Sequence, residues 1–231
     1  MKNSKDLLKM VMLSMLIALR VVISPILRVE GMCPMAHFIN IVCSVFLGPW
    51  YSLLCAALIG IIRMIVMGIP PLALTGAIFG AFLSGVFYRA SKGKLICAVL
   101  GEVIGTGIIG ALVSYPVMTY LWGKEGLSWL FYVPSFTCGT LIGGSIAYVF
   151  LRKLADGGML VHIQTMRSVV SNAFTIAALG AICFVVIEIL TDLFELTSPI
   201  WSWLSYFSLG IFAVAAVLYY IVIKIRKADK K

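Results

Sequence analysis

The run GEVIGTGIIGALVSYP, residues 101–116, sets one carboxylate, Glu102, among apolar residues. It also contains a literal G-x-G-x-x-G at Gly105, Gly107 and Gly110. A dinucleotide-binding turn needs a strand before it and a helix opening after it, so that phosphates meet free N–H groups at a helix start. Here the glycines sit inside a continuous apolar run, where those N–H groups are bonded within a helix. The nucleotide reading is therefore rejected, and Gly101, Gly105 and Gly107 suit close contact between helices instead. Glu102 is the harder residue. A carboxylate near mid-bilayer costs about 2.5–3.5 kcal/mol and turns toward the bundle interior to find a partner. It is either a tie that stitches helices together or a contact to a bound ligand. Counting about 100° per residue, Thr106, Ile109, Val113 and Pro116 share its face and Tyr115 points away.

Four more polar side chains interrupt apolar runs: Arg20, His37, Asn40 and Arg63. Each has an ordinary reading. Arg20 can snorkel outward or pair with Glu30; His37 can be a satisfied group at a helix start; Asn40 can bond two helices. Their depths carry more weight. At 1.5 Å per residue Arg20 stands roughly 20 Å along the first span, and Arg63 reaches a similar height on the third. His37 and Asn40 occupy the first turns of a helix running the other way. All four are expected in the outer third of a roughly 30 Å core. His37, Asn40 and Ser44 follow i, i+3, i+7 and form one polar stripe. The expectation is a pocket lined by donors and one carboxylate, with the aromatic loop 122–132 as its cover.

These positions presuppose a membrane bundle, and the composition requires one. Of 231 residues, 62% are hydrophobic and 12% are charged, where a soluble domain carries about 25% charged residues. The mean hydropathy is +1.09. The fold class is thus all-α integral membrane protein, since backbone groups in lipid must bond internally. The predicted spans are 7–27, 35–48, 50–67, 72–88, 95–117, 134–151, 169–190 and 200–223, about eight in all. The net charge of +9 is topological: fourteen of the 18 Lys and Arg fall on one side if 35–67 crosses twice. The positive-inside rule then puts both termini in the cytoplasm. Residues 1–155 form a substrate-binding block and 156–231 a two-helix extension, whose Glu188, Asp192 and Glu195 have no derivable role. The six cysteines are scattered and read as small hydrophobes, so neither metal nor cofactor is expected. No G-x-x-x-x-G-K-[ST], H-E-x-x-H or G-x-S-x-G occurs, so the chain lacks its own ATPase loop and the common hydrolase motifs. A small pocket without an engine suggests a binding subunit, not an enzyme. The competing classes are an intramembrane enzyme using Glu102 and His37 as acid and base, which their differing depths disfavour, and a purely structural subunit.

The run CPMAHFINIVCSVFLGPWYSLLCAALIGIIR, then GAIFGAFLSGVFYR and GEVIGTGIIGALVSYP, resembles the ThiW family over about residues 7–155. The resemblance implies a six-helix S-component bundle of an energy-coupling factor (ECF) transporter in a prokaryotic plasma membrane. It implies hydroxyethylthiazole, the thiazole precursor of thiamine, as substrate. Its implied partners are a membrane T component and two ABC-type ATPases. The expected substrate-binding residues are His37, Asn40, Arg63, Glu102, Thr106, Trp129 and Tyr132. In this reading Glu102 accepts the ligand hydroxyl proton, His37 or Asn40 donates to the ring nitrogen, and Trp129 and Tyr132 stack or close the site. Ser14 and Ala18, small and spaced i, i+4, match the coupling face of the first helix. Two arginines in the outer third favour an anionic ligand, which leaves an S component for another small vitamin or an anionic nutrient as the alternative.

Overall fold

The computed structural model describes residues 2–26, 32–160 and scattered positions between 206 and 221. Arg28, Glu30, Glu188, Asp192 and Glu195 lie outside the described residues, as does nearly all of the expected final hairpin. The chain divides into two compact units, Met1–Met166 and Arg167–Lys231, and everything below concerns the first.

Among the described residues every extended element is helical: α1 Lys2–Ile26, α2 Pro34–Leu47, α3 Pro49–Met67, α4 Leu72–Ala90, α5 Leu95–Leu121 and α6 Val133–Asp156. All but α2 are long and apolar enough to cross a membrane; α2 has 14 residues. The breaks follow from residue type. Pro34 and Pro49 occupy the first turns of α2 and α3, where a missing N–H costs nothing. Gly48, at φ +97°, makes the sharp turn between them. Gly68 ends α3 in the left-handed conformation, the usual glycine stop.

Helix α4 packs between α3 and α5, while α2 lies against α6, α4 and α3. Small residues permit this closeness. A Cβ on Gly101 would lie 2.5 Å from the carbonyl oxygen of Leu83, and one on Gly105 would lie 2.6 Å from that of Phe79. Glycine here is a contact surface, as its placement within an apolar run predicted. Helix α5 is not uniform: Val103–Gly110 and Val117–Leu121 are π-helical. An i→i+5 turn holds more residues than an α turn, which changes the face count. The buried stripe after Thr106 runs through Gly110, Ala111, Ser114 and Met118, while Ile109, Val113 and Pro116 are only half-buried. The expected 100° spacing fails for this reason.

Helix α1 is the most exposed element, with 22% of its span buried. Leu7, Met15 and Val22 face outward, and so do Ser14 and Ala18.

Replacing Gly105 with Ala is expected to destabilise the fold by about 1–3 kcal/mol, because the new methyl meets backbone. Gly157→Ala, whose added carbon would sit 3.4 Å from its nearest neighbour, is expected to be near neutral. Thermal unfolding midpoints of the purified variants in detergent decide this. Equal midpoints would show that α4 and α5 are not locked by glycine contact.

Candidate functional site

Glu102, in the first third of α5, is fully buried. One of its oxygens, Oε1, accepts three hydrogen bonds: from His37 Nδ1 at 2.9 Å, Asn40 Nδ2 at 2.9 Å and Thr106 Oγ1 at 3.1 Å. The i, i+3 spacing of His37 and Asn40 delivers both donors from one face of α2. Asn40 extends the network. Its Nδ2 lies 3.3 Å from the carbonyl oxygen of Ala77, and its Oδ1 accepts from Arg20 Nη1. The carboxylate thus ties α2 to α5 directly, and α1 and α4 through Asn40.

The same contacts overturn one expectation. Glu102 and His37 are not at different depths; they touch. Depth therefore gives no argument against an acid–base pair, and the reaction class must be judged otherwise.

Space for the cluster comes from a glycine that the sequence reading did not single out. A Cβ on Gly80 of α4 would collide with Thr106 Oγ1 and lie 2.7 Å from Glu102 Oε2. The signal was present as small residues at i, i+4, i+8, namely Gly76, Gly80 and Ser84. Ser84 and Ser44 continue the polar seam with a 2.8 Å bond between their hydroxyls.

Beside the cluster lies a cavity of about 480 Å³. It sits at the end of the bundle where α1 and α3 finish and α2, α4 and α6 begin. His37, Thr106, Arg20 and Arg63 line its polar side; Met118, Phe131, Tyr132 and Phe136 contribute apolar and aromatic surface; Lys124 and Ser135 also reach it. Of the seven residues expected to bind substrate, His37, Arg63, Thr106 and Tyr132 therefore line the cavity. Asn40 and Glu102 do not: they stand behind it, with Asn40's amide fully engaged. Trp129 does not either. It is exposed and packs on Tyr115, ring centroids 4.5 Å apart. Loop conformation, which has no periodicity, decides this.

The roles shift accordingly. A carboxylate only accepts, so Nδ1 of His37 carries the proton that faces Glu102, which leaves Nε2 as the ring's second polar atom. Tyr132 stacks obliquely on Phe136, centroids 5.7 Å apart, and its buried hydroxyl has no partner among the described residues. Burial pushes this phenol above its ordinary value, so it stays protonated and can donate. The site thus offers an acceptor, a donor, an aromatic wall and two guanidinium groups.

A bundle of apolar helices around a solute-sized cavity fits a multi-pass membrane protein that holds a small solute. Residues 10–156 match the family model of the thiamine-precursor transporter protein ThiW, and the chain belongs to that family. No curated protein and no solved structure matches it.

Glu102→Ala is expected to cost about 3–5 kcal/mol, because it leaves Arg20 without the network that neutralises it. Thr106→Val should cost only about 0.5–2 kcal/mol, the scale of one hydrogen bond. Denaturation midpoints in detergent test the order. If the threonine variant is the weaker of the two, the carboxylate is not the organising group.

Proposed function

We propose that the chain is the substrate-binding S component of an ECF-type uptake transporter, taking hydroxyethylthiazole into a prokaryotic cell across its plasma membrane. Family membership gives the transport of a thiamine precursor. The observation that supports the finer reading is the pairing of His37, oriented by Glu102, with the aromatic surface of Tyr132 and Phe136 across one cavity. The thiazole ring packs on the aromatic side. The ligand hydroxyl donates to Nε2 of His37, and the Tyr132 hydroxyl donates to the ring nitrogen. Glu102 orients His37 and does not itself accept from the ligand.

Both termini are cytoplasmic in this reading, and the cavity faces outward. The basic residues Arg89, Lys92, Lys94, Arg152 and Lys153 cluster at chain positions belonging to the opposite ends of the helices. Import is powered by a T component and two ABC-type ATPases, and the chain itself performs no chemistry. Exposed Ser14 and Ala18 on α1 form the coupling face, where small residues permit close helix contact.

Two measurements test this. The purified chain in detergent should bind hydroxyethylthiazole saturably and without turnover, and His37→Phe should weaken binding by about tenfold or more, as loss of an oriented polar partner does. Absence of saturable binding would sink the substrate assignment. In cells carrying the whole transporter, Ala18→Trp should stop uptake while ligand binding to the purified chain persists. Undiminished uptake would move the coupling face elsewhere.

A further inference from the structure

Among the described residues, the cavity wall carries more positive charge than the buried groups around it cancel. Arg20 and Arg63 are 2% and 6% exposed, and both line the cavity. A guanidinium does not give up its proton at any accessible pH, so both charges are permanent. Facing them is a single carboxylate. Glu102 is the one buried Asp or Glu among the described residues. It stands behind the lining, and the oxygen nearest the donors already accepts from three of them.

The remaining polar groups of the lining are His37, Thr106, Lys124, Tyr132 and Ser135, none of them anionic. Arg20 spends Nη1 on Asn40 and keeps an unpartnered Nε. The guanidinium of Arg63 forms no ion pair among the described residues, and its Nε is buried without a partner. Among the described residues two cations thus face one anion, and a further anion would offset the excess. Planar guanidinium forks suit a carboxylate or phosphate, which they bind through paired N–H donors. The volume is also generous. About 480 Å³ leaves room beyond a small heteroaromatic ring with a short alcohol arm, and sites for drug-sized ligands span roughly 300–1,000 Å³.

We propose that Arg20 and Arg63 form an anion subsite of this cavity, and that its preferred ligand carries an anionic substituent, a phosphate ester or a carboxylate, on a ring of thiazole size. The inference rests on the cavity being the thiazole site, and it extends that reading to a charged derivative that binds more tightly than the alcohol. His37 and the aromatic wall hold the ring; the arginines hold the charge.

The test is titration calorimetry on the full chain in neutral detergent. The ligands are hydroxyethylthiazole, its phosphate monoester and a thiazole carboxylate; inorganic phosphate alone is followed by thermal shift. At least one anionic thiazole should bind about tenfold or more tighter than the alcohol, the scale of one charge-assisted hydrogen bond. Arg63→Gln should collapse that ratio toward one, and Arg63→Lys, which keeps the charge but not the fork, should reduce it. The lysine variant also serves if the glutamine variant fails to fold. An alcohol bound as tightly as both anions overturns the subsite, and so does a ratio that survives in folded Arg63→Gln. Stabilisation by phosphate that is lost in Arg63→Gln, with no thiazole bound, would keep the subsite and sink the thiazole reading. No response to any of these ligands sinks both. Glu30→Gln asks whether the chain supplies the anion: a preference that appears only in that variant overturns the proposal. Phosphatidylglycerol in mixed micelles is the last arm. Arg63-dependent stabilisation by the lipid, without preference among thiazoles, assigns the anion to a headgroup and overturns the ligand assignment.

Discussion

An ionised carboxylate has no place among helices that exclude water unless donors surround it. That constraint organises this protein. Oε1 of Glu102 collects an imidazole, an amide and a hydroxyl, and the amide passes the connection on to Arg20 and the backbone of Ala77. Four helices are thereby held in one register by a single atom and its neighbours. Close approach of α4 and α5 is a condition of the arrangement, since any side chain at Gly80 would occupy the volume of Thr106 Oγ1.

Hydrogen-bond capacity then sorts the polar residues into two groups. Asn40 spends its amide group on Glu102, Ala77 and Arg20, and Oε1 of Glu102 accepts three bonds while its Oε2 is buried without a partner; neither residue lines the cavity. His37 is shared between the groups: its Nδ1 belongs to the network, and the residue also lines the cavity. Arg63 and Tyr132 belong to the cavity alone. Rigidity and recognition are consequently carried by different atoms, although they meet at one imidazole. A ligand that bonds to His37 does so on a ring whose orientation was fixed before it arrived, which lowers the ordering cost of binding.

Much of this was legible in the sequence. Long apolar runs gave the described spans, and 1.5 Å per residue was enough to bring Arg20, His37, Asn40 and Arg63 to one level. The same arithmetic misjudged Glu102, because a rise per residue locates a Cα and not the end of a side chain. The faces of α5 beyond Thr106 were misread because the count assumed an α-helical turn where the helix widens. Trp129 could not be placed by any period, since its partner, Tyr115, is reached through a loop. Gly80 was visible only as part of a small-residue stripe, and nothing in such a stripe tells which glycine makes room for a functional group.

The widened turns at Val103–Gly110 have a bearing on how this helix tolerates changes in length. A π segment accommodates a residue more than an α-helix of the same rise, and so acts as slack in the chain. Deleting one residue from this glycine-rich stretch would let the helix relax to α geometry instead of breaking it. The helix beyond the deletion would keep close to its present facing relative to Glu102, because the residue lost is the one the wider turn holds in excess. Ser114 and Met118 would stay in the interior. The segment is therefore a place where a chain of this kind can gain or lose a residue and remain helical, while the far half of α5 presents the same lining to the solute.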